Sequence, residues 1–76
     1  ERSALAKWLE EQGFVVSSSS SNFLLFGPLP RRHDVWESLV ADGVLIREVG
    51  PEGYLRVTVG TQAENEAFKA ALKEAL

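Results

Sequence analysis

Two arginines, Arg47 and Arg56, offer the clearest chemistry in the chain. They lie in β-branched-rich runs at residues 44–49 and 54–59, separated by Gly50-Pro51-Glu52-Gly53. A loop of that composition between two such runs signals a β-hairpin. Pairing Val49 with Tyr54 across the loop sets the register, and side chains then alternate between the two faces. Val44, Ile46, Leu55, Val57 and Val59 form an apolar face, while Leu45, Arg47, Val49, Tyr54, Arg56 and Thr58 form the opposite one. Arg47 then faces Arg56 directly, and a slip of one residue would move Arg56 into the apolar set. Like charges directly opposite on a sheet destabilise it by something on the order of 0.2–1 kcal/mol. Glu48 points to the other face and gives no local relief. Two planar guanidiniums suit bidentate capture of a carboxylate or phosphate, a task Lys performs less well. The same pair also reads as splayed into solvent, its stems covering Leu45 and Tyr54, and the residue pattern leaves both readings open.

Other chemically active residue types are sparse. With no Cys and one His, the chain has no disulfide framework, no thiolate nucleophile and no zinc-ligand spacing. His33 falls in the first turn of an expected helix without an Asp, Ser or second His to pair with, so a solvated or capping role is expected. Eight basic side chains against eleven acidic ones give a net charge of −3 and a pI near 5.0. That balance argues against nucleic acid or an acidic membrane surface held by bulk charge. No apolar run approaches the ~20 residues that span a bilayer, and no basic-then-apolar leader opens the sequence. The 76 residues, 45% hydrophobic, read as one soluble domain of modest core. The absence of Met and a beginning inside helix-like sequence suggest a piece of a longer chain.

The elements that must position the arginines follow from periodicity. Leu5, Trp8 and Leu9 share one face of a helix over residues 3–12, capped by Ser3 and ended by Gly13. A short β-prone run at residues 14–16 leads into five serines at residues 17–21, which read as a flexible connector. The run at residues 22–26, N-F-L-L-F, is expected to be a central strand with both faces covered. Val35, Trp36, Leu39 and Val40 give a helix over residues 31–41. Thr61 and Glu64 form a capping box before a last helix whose stripe is Phe68, Ala71, Leu72, Ala75 and Leu76. The order is α-β-β-α-β-β-α: an α+β layer with helices on one face of a mainly antiparallel sheet. The opposite face, with Leu45, Val49, Tyr54 and two residues of the central strand, holds more apolar surface than a solvated face needs and is expected to dock on something.

Four motifs in order carry a resemblance: S-N-F-L-L-F-G at residues 21–27, G-V-L-I-R-E at 43–48, L-R-V-T-V-G-T at 55–61 and E-N-E-A-F-K-A-A-L at 64–72. Together they resemble the C-terminal small domain of the histidinol-phosphate aminotransferases, which are fold-type I pyridoxal-phosphate enzymes. The resemblance implies an aminotransferase small-domain fold and a cytoplasmic homodimer acting in histidine biosynthesis. The reaction it implies is transamination between histidinol phosphate and 2-oxoglutarate. It also implies that Arg56 holds the anionic group of the substrate, that Arg47 assists with the phosphate, and that Asn22 lies near the active-site edge. The serine tract departs from the family pattern, which usually carries Pro-Ser shortly before the Asn.

Lys7, Lys69 and Lys73 are the only lysines, all on helices near the chain ends. None stands in the loop context of a Schiff-base lysine, and no Asp is placed for a pyridinium nitrogen. The resemblance therefore puts pyridoxal phosphate on a large domain of the same chain upstream of Glu1. No catalytic, cofactor-binding or metal residue is expected within these residues, and the segment alone is expected to be inactive. Two other readings stay open: a free-standing α+β regulatory module binding a small anion, and an interaction domain whose apolar face meets a partner protein.

Overall fold

The computed structural model describes residues 2–20 and 22–76, with the backbone alone for residues 18–20. The elements run α1 (Arg2–Glu11), β1 (Val15–Ser20), β2 (Phe23–Gly27), α2 (Arg32–Ala41), β3 (Ile46–Arg47), β4 (Leu55–Thr58) and α3 (Gln62–Ala75). The four strands form one sheet in the order β1-β2-β4-β3, antiparallel at every step. The expected element order and α+β class are thus observed.

The apolar run of β2 is central because it has both neighbours and both faces to satisfy. Leu24 and Phe26 are buried under the helices, while Phe23 and Leu25 are half-buried on the opposite face. Leu5 and Leu9 of α1, Leu39 of α2, and Phe68 and Leu72 of α3 join Leu24, Phe26, Leu55 and Val57 in one core. Each such side chain, fully buried, stabilises the fold by roughly 1.5–3 kcal/mol. Edge-to-face contacts run Trp8 to Phe68 to Phe26 to Phe14, with centroids 6.4, 5.7 and 5.4 Å apart. At the start of α3, the Thr61 hydroxyl accepts from the Glu64 amide at 3.2 Å and the Glu64 carboxylate accepts from the Thr61 amide at 2.8 Å, the reciprocal capping box. Asn65 is buried beside Phe68, with its side-chain amide bonded both ways to the Gly60 backbone. Leu76, expected in the apolar stripe, is 63% exposed because it stands past the last turn.

Two further expectations are corrected. The serine tract is not a connector: residues 17–20 continue β1, with Ser17 opposite Leu25 and Ser18 opposite Leu24, and a bulge before Ser20. Pairing with a central apolar strand supplies the backbone bonds, and that tertiary gain overrides the weak strand preference of serine. Ser21 lies outside the described residues, as does Glu1. The hairpin strands are also shorter than expected, Ile46–Arg47 and Leu55–Thr58 rather than 44–49 and 54–59. Along the open edge of β3 the Trp36 indole donates to the Ile46 carbonyl at 3.2 Å, and the Glu48 side chain lies 3.5 Å from Arg32 of α2. Gly50 and Gly53, at φ 86° and 88°, make the wide loop that residues with a Cβ rarely adopt.

Candidate anion-binding site

The hairpin register is the one the alternation predicts. Ile46 pairs with Val57 and Arg47 with Arg56. The row continues through Leu25 of β2 to Ser17 of β1, so both arginines stand on the face away from the helices. Ile46, Leu55 and Val57 are buried on the other face. One residue of slip would bury Arg56, which is why the pairing is strongly specified.

The two guanidiniums differ in their surroundings. Arg56 is half-buried, with Cζ 4.3 Å from the centroid of the Phe23 ring. Arg47 is exposed at the edge strand. Among the described residues no carboxylate lies within ion-pair distance of either one. Both line an open concavity of about 690 Å³ that wraps around the β3 edge, together with Phe23 and Thr58 on the sheet, Leu45 and Val49 beside the edge, and Trp36 and Val40 of α2. Such a site presents two permanent positive charges and a partly apolar wall, a suitable seat for a phosphate or carboxylate on a small organic body.

Glu48 also borders the concavity, yet its charge is engaged from the other side. Its Oε2 lies 3.5 Å from Arg32 Nε and its Oε1 lies 3.0 Å from His33 Nδ1. Arg32 also donates to the Tyr54 carbonyl at 3.3 Å. The first turn of α2 thereby holds both ends of the loop between β3 and β4. His33 is exposed, as expected of a solvated residue, but it is not without a partner. Its partner comes from another element, fifteen positions later in the chain, where local sequence gives no sign of it. The hydrogen bond to Glu48, and then the negative charge of Glu48, hold the His33 pKa above the ordinary value of 6.5; a small loss of hydration opposes them, and Glu37 and Asp34 add smaller upward pushes. Arg32, joined by His33 when it is protonated, offsets Glu48, the one carboxylate among the described lining residues of the concavity.

Asn22 is placed differently from the arginines. It is exposed, immediately precedes β2, and its carbonyl accepts from the Val59 amide at 2.8 Å. It does not line the concavity. The structure thus brings Arg47 and Arg56 together and leaves Asn22 apart. Phe23 is the contributor that sequence reasoning missed: its contact with Arg56 depends on the β2–β4 register, which sets Phe23 opposite Thr58 and diagonal to Arg56. Among the described residues, no group of His, Cys, Asp or Glu side chains is arranged to hold a metal ion, and no helix is long and apolar enough to cross a membrane.

Comparison with known proteins adds four findings. Residues 1–72 match the family described as aminotransferase class I and II. The chain is 47% identical over 76 residues to histidinol-phosphate aminotransferase 3 of Burkholderia lata, covering all of this chain and 20% of that protein. It is 54% identical over 72 residues to the histidinol-phosphate aminotransferase of Thermobifida fusca, covering 95% and 20% respectively. A solved structure assigned as an aminotransferase, from Burkholderia pseudomallei, superposes with a TM-score of 0.81 at 26% identity, covering 96% of this chain and 23% of that one. The chain therefore spans about a fifth of the length of the curated relatives it matches.

Proposed function

This chain belongs to the class I and II aminotransferase family, and on that premise we propose that it is the C-terminal small domain of a histidinol-phosphate aminotransferase. In this reading Arg56 and Arg47 hold the phosphate of histidinol phosphate, or the carboxylate of 2-oxoglutarate when that is the amino acceptor. The observation that carries it is the cross-strand arginine pair, uncompensated by any carboxylate among the described residues and facing the concavity. An anion seated between the guanidiniums converts a repulsive contact into a bidentate one. The domain supplies this anion clamp and closes over the substrate as a lid.

The family implies pyridoxal phosphate in the complete enzyme, but the residues of this chain do not fit it. Lys7 and Lys73 are exposed on helices, and Lys69 is paired with Glu66 at 3.2 Å and sits 5.8 Å above Trp8. None borders the concavity. We therefore assign the coenzyme to a large domain of the same protein, against which the face with Phe23, Leu45 and Val49 docks, in a cytoplasmic homodimer. The shared name of the relatives favours this over a free-standing regulatory or interaction module.

Borohydride reduction in the presence of pyridoxal phosphate, read by mass spectrometry, tests the assignment together with a transamination assay. The 76-residue chain should stay unlabelled and inactive, while the full-length protein should be labelled and should use histidinol phosphate with 2-oxoglutarate. Stoichiometric labelling of one lysine in the 76-residue chain, or a full-length protein unable to use histidinol phosphate, overturns the proposal.

A further inference from the structure

The two arginines of the clamp are chemically identical but structurally unequal, and the inequality traces to one ring. Phe23 and Leu25 alternate onto the same face of β2 as Arg56 and Thr58 of β4, because Leu25 pairs with Arg56 and Phe23 with Thr58. Phe23 is therefore the diagonal neighbour of Arg56, within reach of a long side chain across an antiparallel pair. The Arg56 guanidinium carbon lies 4.3 Å from its ring centroid, well inside the range at which the negative face of an aromatic ring attracts a cation. Arg47, directly across from Arg56 on the other side, is exposed and has no ring contact among the described residues.

We infer that Phe23 is a positioning residue: it draws the Arg56 guanidinium onto its ring, away from Arg47, and so presets Arg56 as the fixed arm of the anion clamp while Arg47 remains the adaptable arm. The inference rests on the anion-clamp reading for its purpose, but the positioning itself is a property of the unliganded chain. Arginine carries a large rotamer entropy, and a guanidinium already held in place loses less freedom on meeting an anion. The ring attracts the cation without using its N–H donors, which remain available to a ligand. A carboxylate in the same place would fix Arg56 equally well but would occupy those donors and repel the anion. An aromatic partner is the solution that orders the side chain and keeps its charge available.

The test has two arms, both on the 76-residue chain. In the first, ¹⁵N relaxation and Hε chemical shift are read at the Nε of each arginine without ligand. Arg56 should be more ordered than Arg47 and its Hε should show an upfield ring-current shift, a reading that needs no substitution. Phe23→Leu, which keeps an apolar strand residue, should lower Arg56 order to the level of Arg47, and Phe23→Tyr should restore it, with backbone amide spectra confirming the fold. In the second arm, inorganic phosphate is titrated into a double-mutant cycle. Phe23→Leu should weaken phosphate binding by at least about two- to fivefold, the range set by the weaker cation–π contacts, and should have no effect in the Arg56→Gln background. Arg56 as mobile as Arg47, no ring-current shift, or Phe23→Leu leaving Arg56 order unchanged overturns the positioning role even if phosphate binds through Arg56. Phosphate binding indifferent to Arg56→Gln overturns the clamp instead, and the first arm still decides the role of Phe23.

Discussion

Replacing Arg47 by Gln should stabilise the free chain, an outcome opposite to that of most substitutions. Arg47 and Arg56 are paired across β3 and β4, with no ion-pair partner for either among the described residues. Two unit charges 4 Å apart repel by about 4 kcal/mol at an effective dielectric near 20. Splaying and solvent reduce this toward the roughly 0.2–1 kcal/mol typical of directly opposed strand residues. Arg47→Gln removes that repulsion and sacrifices little, because the side chain is exposed. Arg56→Gln removes the same repulsion but also loses the half-buried contact with Phe23, worth at least the roughly 0.5–1 kcal/mol of an exposed site, and so should be near neutral or destabilising. For a domain of this size about 1 kcal/mol shifts Tm by roughly 4–8 °C. Thermal unfolding followed by circular dichroism in ~10 mM buffer should therefore give Arg47→Gln a Tm about 1–8 °C higher. The gain should shrink in 1 M chloride, where the Debye length falls from about 30 to about 3 Å. Phosphate should reverse the order, since binding to the folded state alone adds about 2.7 kcal/mol at a hundredfold excess over Kd. The double variant controls for the general stabilising effect of excluded salts. Destabilisation by Arg47→Gln at low salt, or a gain that survives 1 M chloride, would refute the uncompensated pair.

Three further outcomes follow from the same structure. His33 should titrate with a midpoint above 6.5 by NMR, falling in Glu48→Gln; because its folded pKa is raised, its contribution to stability is complete below about 6.5 and is lost as pH rises through the folded value. A midpoint at or below 6.5 would contradict the Glu48 pairing. Phe68→Ala should cost about 3–5 kcal/mol, because Phe68 is 2% exposed and touches both Trp8 and Phe26. Against a total of roughly 4–11 kcal/mol for a chain of this length, urea unfolding should show a largely lost native baseline, and a cost under about 1 kcal/mol would contradict the shared aromatic core. Gly27→Ala should destabilise by about 1–3 kcal/mol, since a Cβ there would stand 2.8 Å from the Gly53 carbonyl oxygen and 3.0 Å from the Tyr54 ring; an unchanged urea midpoint would show that the two loops separate freely.

The parts of the fold legible in the sequence are those set by periodicity within one element or by a short loop. The β3–β4 register was readable because alternation with Arg47 and Arg56 tolerates one alignment only, and the α3 capping box because Thr61 and Glu64 are three residues apart. What remained hidden depends on contacts between distant elements. The serine tract pairs as a strand because β2 supplies its partners, and composition carries no record of that. His33 meets Glu48, Trp36 meets the Ile46 carbonyl, and Phe23 meets Arg56 only once α2, the hairpin and β2 are assembled. Of the candidate site, the arginine pair was therefore visible in advance. Its aromatic support and the neutralisation of Glu48 were not. Asn22 came from family resemblance alone, and the structure sets it outside the concavity.

The most direct test of the anion clamp is Arg56→Gln in the full-length enzyme, with kcat/KM for histidinol phosphate measured beside the affinity for pyridoxal phosphate. Hydrogen bonds to a charged group contribute about 1.5–3 kcal/mol, which corresponds to a loss of roughly ten- to 150-fold in kcat/KM. Coenzyme affinity should change by less than about twofold, because none of the lysines in this chain borders the concavity and the proposed clamp acts on substrate. Equal losses of substrate efficiency and coenzyme affinity, or an unchanged kcat/KM, would show that Arg56 and Arg47 are only a solvated cross-strand contact.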